Sequence, residues 1–259
     1  MLLFLVLVGW VCQVWGGPLE KQKTSEIQQE DGYINSLKTQ SPLPINGEIA
    51  DEVENEAVQE GDILLPKDRN AVSSLWPKVG VKVAVPYEID SDLKDRIQDI
   101  TDAMAMISDK TCITFHRRTV ETDYIYFAHG LWCVSFIGCV GGEQRILIGR
   151  ACSVGNIIHE ILHALGLYHE HSRFDREQYI SIMSENIKPG REKSFLVRDG
   201  NTLGLPYDLE SILHYGSNYF SRNGEPTIVP KDRSVMIGQR THLSVLDVQK
   251  IRKLYKCVR

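Results

Sequence analysis

The 259-residue sequence predicts an α+β fold, and the pattern of its hydrophobic residues supports this prediction in two ways. Three separated segments show the 3–4 spacing of amphipathic helices, and short alternating runs typical of strands lie between the first two. Glycines punctuate these strand-like runs, and after Gly166 the chain is irregular up to the last helical segment. We therefore expect a mixed sheet with two long helices above a cleft and a less regular half below it.

The individual elements are expected in the following order. A strand is predicted over residues 81–86, and a helix over 91–108 with Ser91 or Asp92 as its cap. Further strands are predicted over residues 114–117, 124–127, 134–137 and 145–149. A second helix over residues 153–165 and a last helix over 244–255 complete the prediction.

The composition is that of an ordinary globular protein. Hydrophobic residues make up 42% of the chain and charged residues 24%, so there is enough apolar material for a sizeable core. The formal net charge is −5. Because no basic excess exists, the bulk charge argues against a nucleic-acid partner.

The first residues indicate a secreted protein. The apolar run over residues 2–11 is too short for a bilayer span but has the length of a signal-peptide core. We therefore predict a signal peptide over residues 1–16, with an N-terminal membrane anchor as the alternative. No other segment is apolar enough for stable membrane insertion. The expected location is extracellular, with secretory granules as one route.

Residues 17–69 differ in character from the rest of the chain. They contain twelve acidic and five basic side chains, and all eight histidines lie beyond them. A polar, acidic stretch of this kind cannot bury enough apolar surface to fold alone. It is predicted to be a pro-segment or linker in front of a folded domain over residues 70–259.

The sequence from His159 to Glu170 contains the residues that point to chemistry. His159 and His163 are four positions apart, so both project from one helix face. Gly166 permits a turn that brings His169 round as a third ligand. Three imidazoles on Zn²⁺ leave one position open for a water molecule. Glu160 is placed to accept the proton of that water, which predicts metal-dependent hydrolysis.

This extended motif is typical of metzincin metalloproteases. Because Glu170 follows the third histidine directly, the sequence resembles the astacin family. The resemblance extends over residues 112–115, 133–138, 171–176 and 243–257 and so covers residues 70–259. It implies a zincin-type fold of two subdomains with an active-site helix and one zinc ion per chain. The implied function is that of a secreted zinc endopeptidase made as a zymogen, and the compact layout resembles hatching-enzyme and nephrosin-like members.

The resemblance also implies roles for residues outside the motif. Tyr215 would be a mobile tyrosine that ligates zinc at rest and stabilises the oxyanion during the reaction. Leu213 stands where the family has the methionine of its Met-turn. Glu170 would pair with the new N-terminal amine after an activating protease cuts near Arg69.

A short motif over residues 60–63 matches the pro-segment signature of the family. The resemblance implies that the carboxylate of Asp62 holds the zinc of the zymogen in place of water. The preceding aromatic residue of the family is absent, because Gln59 and Glu60 stand there. The alternative is that Asp62 is a solvated acid in a turn.

Cys12 lies in the expected signal, which leaves five cysteines and predicts two disulfides with one thiol left over. The resemblance pairs Cys112 with Cys257 and Cys133 with Cys152. Cys139 would then be a free thiol, a dimer link, or a rival partner for Cys133 or Cys152. The remaining histidines are expected to be ordinary polar residues: His116, His129, His171, His214 and His242.

An extended peptide or protein is the expected substrate. The resemblance puts it antiparallel to the edge strand near residues 145–149, as an added strand. The alternative function is a catalytically silent secreted protein that keeps the fold as a binding module. Leu213 and Cys139 leave this alternative open, whereas the intact histidines and Glu160 argue against it.

Overall fold

The structure, a computed structural model, describes residues 58–65 and 74–258. The expected signal over residues 1–16, most of the expected pro-segment and the cleavage site near Arg69 lie outside the described residues. Within the described ranges, no helix has the length and hydropathy needed to cross a membrane.

The described residues form three α-helices and ten short strands. The helices are α1 (Ile97–Ser108), α2 (Val154–Ala164) and α3 (Val245–Leu254). The strands are β1 (Val58–Gln59), β2 (Ile63–Leu64), β3 (Lys78–Val79), β4 (Lys82–Ile89), β5 (Ile113–Arg117), β6 (Tyr124–His129), β7 (Ser135–Phe136), β8 (Glu143–Ile148), β9 (Ile180–Ile182) and β10 (Ile228–Pro230).

The main sheet has five strands and is mixed, which confirms the predicted fold class. Strand β4 pairs parallel with β5 and β6, and β6 pairs parallel with β8. Strand β3 adds to β4 in the antiparallel direction. Parallel neighbours need a crossover connection, and α1 provides it between β4 and β5.

The sheet and the helices share one hydrophobic core. On β4, Val83 and Val85 are fully buried at alternate positions, as expected for a strand with one face against the core. Ile100 and Ile107 of α1 and Ile161 of α2 are fully buried in the same cluster. This packing fixes α2, the helix that carries the histidine motif, between the main sheet and the part of the chain that follows Gly166.

The helix ends agree with the sequence prediction at α2 and α3 but not at α1. Ser153 and Ser244 cap α2 and α3, each through a reciprocal capping box. The predicted helix over residues 91–108 begins instead as a 3₁₀ turn, Ser91–Arg96, and becomes α-helical at Ile97. The predicted cap at Ser91 or Asp92 is wrong, because the side chain of Asp90 accepts the bond from the Asp92 amide.

Regular structure also occurs between Gly166 and the last helix, where the sequence predicted none. Strands β9 and β10 form an antiparallel pair. A second hydrophobic cluster is associated with them and contains Ile180, Ile187, Phe195, Tyr207, Tyr215, Phe220 and Ile228. These strands are three residues long and lie among turns, so the period-2 pattern was too short to recognise.

The cysteines pair as the resemblance implies. Disulfides join Cys112 to Cys257 and Cys133 to Cys152, and Cys139 is a buried free thiol. Burial raises the pKa of the Cys139 thiol. The Cys112–Cys257 bond ties the start of β5 to the end of the chain, and a closure of this kind typically contributes about 2–5 kcal/mol to stability.

Gly155 in the first turn of α2 is a sensitive packing position. A Cβ atom there would lie 1.7 Å from the carbonyl oxygen of Arg240. We expect Gly155→Ala to lower the free energy of unfolding by about 1–3 kcal/mol, the usual cost of overpacking. Gly200→Ala is the matched control, because no atom lies within 4 Å of that position. Urea denaturation of both variants measures the difference, and equal stability would contradict the close packing at α2.

Candidate metal centre

Helix α2 and the turn after it bring the three motif histidines together. Gly166 adopts φ +98°, which reverses the chain after α2 and places His169 opposite His159 and His163. The Nε2 atoms of the three rings lie 3.0 Å (His159–His163), 3.2 Å (His159–His169) and 3.3 Å (His163–His169) apart. All three side chains are buried. The predicted ligand set therefore converges on one point.

Asp62 completes the cluster as a fourth group. Its Oδ2 atom lies 3.2 Å from Nε2 of His159 and 3.2 Å from Nε2 of His169. The ligand atoms of Asp62 and the three histidines all lie within 4.8 Å of one another, and the cluster can hold one metal ion. Asp62 is fully buried, which argues against the alternative of a solvated acid in a turn.

Hydrogen bonds orient two of the rings for metal binding. Nδ1 of His159 lies 2.7 Å from the carbonyl oxygen of Ile212, and Nδ1 of His163 lies 2.7 Å from that of Leu167. A carbonyl oxygen only accepts, so each Nδ1 carries the proton and each Nε2 directs its lone pair inward. The donor set of three imidazoles and one carboxylate thus fits Zn²⁺.

The charge states of these groups also suit a cation. Burial lowers the pKa of His159 and lowers that of His163 well below its ordinary value. Burial alone would raise the pKa of Asp62, but His169 and His159 lower it to a net value below its usual range. Neutral imidazoles and an ionised carboxylate are the forms that bind metal.

The expected catalytic groups lie beside this centre. Glu160 is fully buried on α2, directly after His159. Tyr215 is fully buried, its ring centroid lies 4.7 Å from that of His169, and its hydroxyl donates to the carbonyl oxygen of Glu60. Leu213, at the position of the family methionine, is buried in the main core.

His171 has a more specific place than the sequence suggested. Its ring stacks on that of Tyr215 with the centroids 3.7 Å apart, and its Nε2 lies 2.9 Å from the carbonyl oxygen of Ser194. Burial lowers its pKa well below the ordinary value. His171 is therefore a neutral packing partner of Tyr215, a role that spacing along the sequence did not reveal.

Glu170 is buried and paired within the described chain. Its carboxylate accepts from Lys250 at 2.6 Å, from Arg173 at 3.2 Å and from the amide of Asp208 at 2.8 Å. Burial raises the pKa of Glu170, and Lys250 opposes this rise. A cavity of about 260 Å³ lies against Glu170 and Lys250. The expected partner, an amine created near Arg69, lies outside the described residues.

An extended segment of the chain itself lies beside the centre. Strand β2 (Ile63–Leu64) pairs parallel with β7 (Ser135–Phe136), and the amide of Ser135 donates to the carbonyl oxygen of Asp62 at 2.9 Å. Strand β8 is the last strand of the main sheet. The outer side of β8 is nevertheless contacted, because Val134 forms a β-bridge with Leu147 of that strand. The strand that carries an added segment in this structure is thus β7. The substrate position near residues 145–149 stays a prediction.

Two polar residues near the centre were not recognised as contact residues from the sequence. Glu60 places Oε2 2.6 Å from Nδ1 of His169, and its other carboxylate oxygen pairs with Arg198. Arg198 lies in a loop with no motif around it. The only available signal was the position of Glu60 inside the short motif over residues 60–63.

The mixed α+β fold and the three-histidine centre on α2 and the turn after it together define a metallopeptidase domain of the zincin type. The chain belongs to the astacin family: the family model described as Astacin, a peptidase family, matches residues 69–256. This finding confirms the resemblance noted in the sequence.

Individual relatives agree with this assignment. The chain is 39% identical to the astacin-like metalloendopeptidase of Gallus gallus over 92% of this chain and 62% of that protein. It is 39% identical to the low choriolytic enzyme of Oryzias latipes over 78% of this chain and 79% of that protein. The solved structure of high choriolytic enzyme 1, a hatching enzyme zinc-protease from Oryzias latipes, matches with 39% identity and a TM-score of 0.69. That match covers 73% of this chain and 100% of the other.

Proposed function

We propose that this protein is a zinc-dependent endopeptidase. The observation that carries the proposal is the buried cluster of three inward-facing histidine Nε2 atoms with Glu160 next to the first of them. Membership of a peptidase family supports the same conclusion. The chain spans 62% and 52% of the first two relatives that match it, so the activity is proposed for this chain on its own residues.

The proposed roles follow from the geometry. His159, His163 and His169 would hold zinc, which when bound would supply Lewis acidity and lower the pKa of a water molecule to about 7. Glu160 accepts a proton from the attacking water and delivers it to the leaving amine. The hydroxyl of Tyr215 donates to the oxygen that becomes negatively charged, after its present bond to Glu60 is released.

We propose that the substrate is an extended peptide that adds to β7. Backbone hydrogen bonds along Ser135 and Phe136 would bind it without regard to sequence. The resemblance implies an antiparallel strand, whereas β2 runs parallel to β7. The segment with Asp62 would then lie in the cleft in the direction opposite to a substrate.

The same contacts support a zymogen. Residues 17–69 would form the pro-segment behind a signal peptide over residues 1–16, and the product would be secreted. The Asp62 carboxylate lies among the three histidine nitrogens, where it would take the place of a metal-bound water, and a protease that cuts near Arg69 would release it. The new amine would enter the cavity beside Glu170 and compete with Lys250 for its carboxylate.

A protease assay separates this function from the alternative of a silent binding protein. The chain cut near Arg69 should hydrolyse casein, a zinc chelator should abolish the hydrolysis, and added zinc should restore it. A properly cut, zinc-loaded chain that leaves casein and gelatin intact would favour the binding module.

The proposed zymogen switch, in which Asp62 blocks the metal until the chain is cut, gives a separate prediction for the uncut precursor. Asp62→Ala should increase the affinity of the zinc-loaded precursor for a small hydroxamate, because the inhibitor no longer competes with an internal carboxylate. Asp232→Ala, at an exposed position, is the control. Titration calorimetry measures the hydroxamate affinity of both variants. Equal affinity in the Asp62→Ala and wild-type precursors would show that Asp62 does not bind the metal.

A further inference from the structure

The segment that carries Asp62 is attached to the domain by a second carboxylate, that of Glu60. Its side chain is only 2% exposed. One oxygen lies 2.6 Å from Nδ1 of His169, and the other pairs with Nε of Arg198. A carboxylate buried this deeply is destabilising unless charged or hydrogen-bonding partners surround it. The two partners of Glu60 come from the part of the chain that would remain after activation.

Arg198 contacts two consecutive residues of the segment. Its Nη2 donates to Oε1 of Gln59 at 2.8 Å, while its Nε pairs with Glu60. The guanidinium also lies 5.1 Å from the centroid of the Tyr168 ring. A planar guanidinium held over an aromatic ring keeps its forked donors in a fixed orientation. Arg198 is therefore preorganised to hold both side chains at once.

The backbone between these contacts and Asp62 fits closely against the domain. The hydroxyl of Tyr215 donates to the carbonyl oxygen of Glu60. At Gly61, where φ is +80°, a Cβ atom would lie 2.7 Å from the ring of Phe220. The turn that connects Glu60 to Asp62 thus has little room to move, so an anchor at Glu60 also fixes the position of Asp62.

We propose that Arg198 and the outer nitrogen of His169 form a carboxylate-binding site whose ligand is the chain's own Glu60. This polar clasp, defined as Arg198 and His169 with Gln59 and Glu60, anchors the segment where the sequence has no aromatic side chain. It rests on the zymogen proposed above. Its effect is to raise the effective concentration of the Asp62 carboxylate at the metal. After activation the same pair of donors is left without Glu60.

The test measures how readily a small hydroxamate binds the full-length, uncut, zinc-loaded precursor. Glu60→Gln keeps an acceptor for His169 but removes the charge that Arg198 pairs with. Arg198→Gln removes the other half of the pair. We expect each variant to bind the hydroxamate about tenfold more tightly. The double variant should gain less than the product of the two single effects, because both substitutions remove the Glu60–Arg198 pair.

Arg118→Gln is the matched control. Its side chain is 30% exposed, as is that of Arg198, and it pairs with Glu88 at a distance from the centre. It should leave hydroxamate binding unchanged. Arg198→Lys keeps the charge but loses the forked pair of donors. We expect its hydroxamate affinity to lie between those of the wild type and Arg198→Gln. Zinc content and Tm, measured for every variant, identify any that fail to fold.

The outcomes distinguish the clasp from the switch. If Asp62→Ala tightens hydroxamate binding but Glu60→Gln and Arg198→Gln do not, the clasp is wrong and the switch stands. If the free-energy changes of hydroxamate binding in the two single variants add up in the double variant, the clasp is also overturned, since Glu60 and Arg198 would then act independently. If Asp62→Ala changes nothing either, the proposed zymogen itself fails.

Discussion

His163→Ala is expected to abolish zinc binding and peptidase activity together in the activated chain. His163 supplies one of three Nε2 atoms that lie within 3.3 Å of one another, and a carbonyl oxygen fixes its ring. Loss of a side chain that only hydrogen-bonds to a metal ligand typically lowers the metal affinity 10–100-fold. Loss of the ligand itself should therefore lower the zinc affinity at least about 100-fold. Metal analysis after dialysis and the rate of casein hydrolysis measure the two losses.

His116→Ala provides the control for this result. His116 is exposed, and it pairs with Glu121 on the surface of the sheet. Its removal should change neither the zinc content nor the rate. Stoichiometric zinc in His163→Ala at the wild-type affinity would contradict the assignment of this histidine as a ligand.

The metal centre could be predicted from the sequence because its geometry is local. His159 and His163 meet because residues four apart share a helix face, and His169 follows after one glycine turn. Eleven residues therefore carry the information for three ligands. The mixed sheet was predictable for a similar reason, since β4, β5, β6 and β8 are each long enough to display their own pattern.

Other contacts depend on parts of the chain that lie far apart in sequence. Glu60 and Arg198 are 138 positions apart, and no local pattern marks either of them as a partner of the other. The same holds for Lys250, which pairs with Glu170 across 80 positions. The family resemblance implied that Glu170 pairs with an amine, but only the tertiary fold identifies Lys250 as the cation beside it.

Glu160→Ala is expected to leave zinc bound but to lower kcat by about 10²–10⁴-fold. The three ligand nitrogens belong to histidines, so removal of the Glu160 carboxylate leaves the metal cluster intact. What is lost is the group that accepts the proton of the attacking water. Equilibrium dialysis measures zinc, and hydrolysis of a quenched fluorescent peptide gives kcat and KM for the activated variant.

The pattern of the two constants decides the role of Glu160. A proton acceptor acts on the chemical step, so kcat should fall while KM changes little. Glu160→Gln should be as slow as Glu160→Ala, because an amide keeps the shape of the side chain but cannot accept the proton. Glu185→Ala, at an exposed position, controls for loss of an acidic side chain as such. Near-normal kcat in Glu160→Gln would assign proton transfer to another group, whereas loss of zinc in both variants would mean that Glu160 supports the metal cluster.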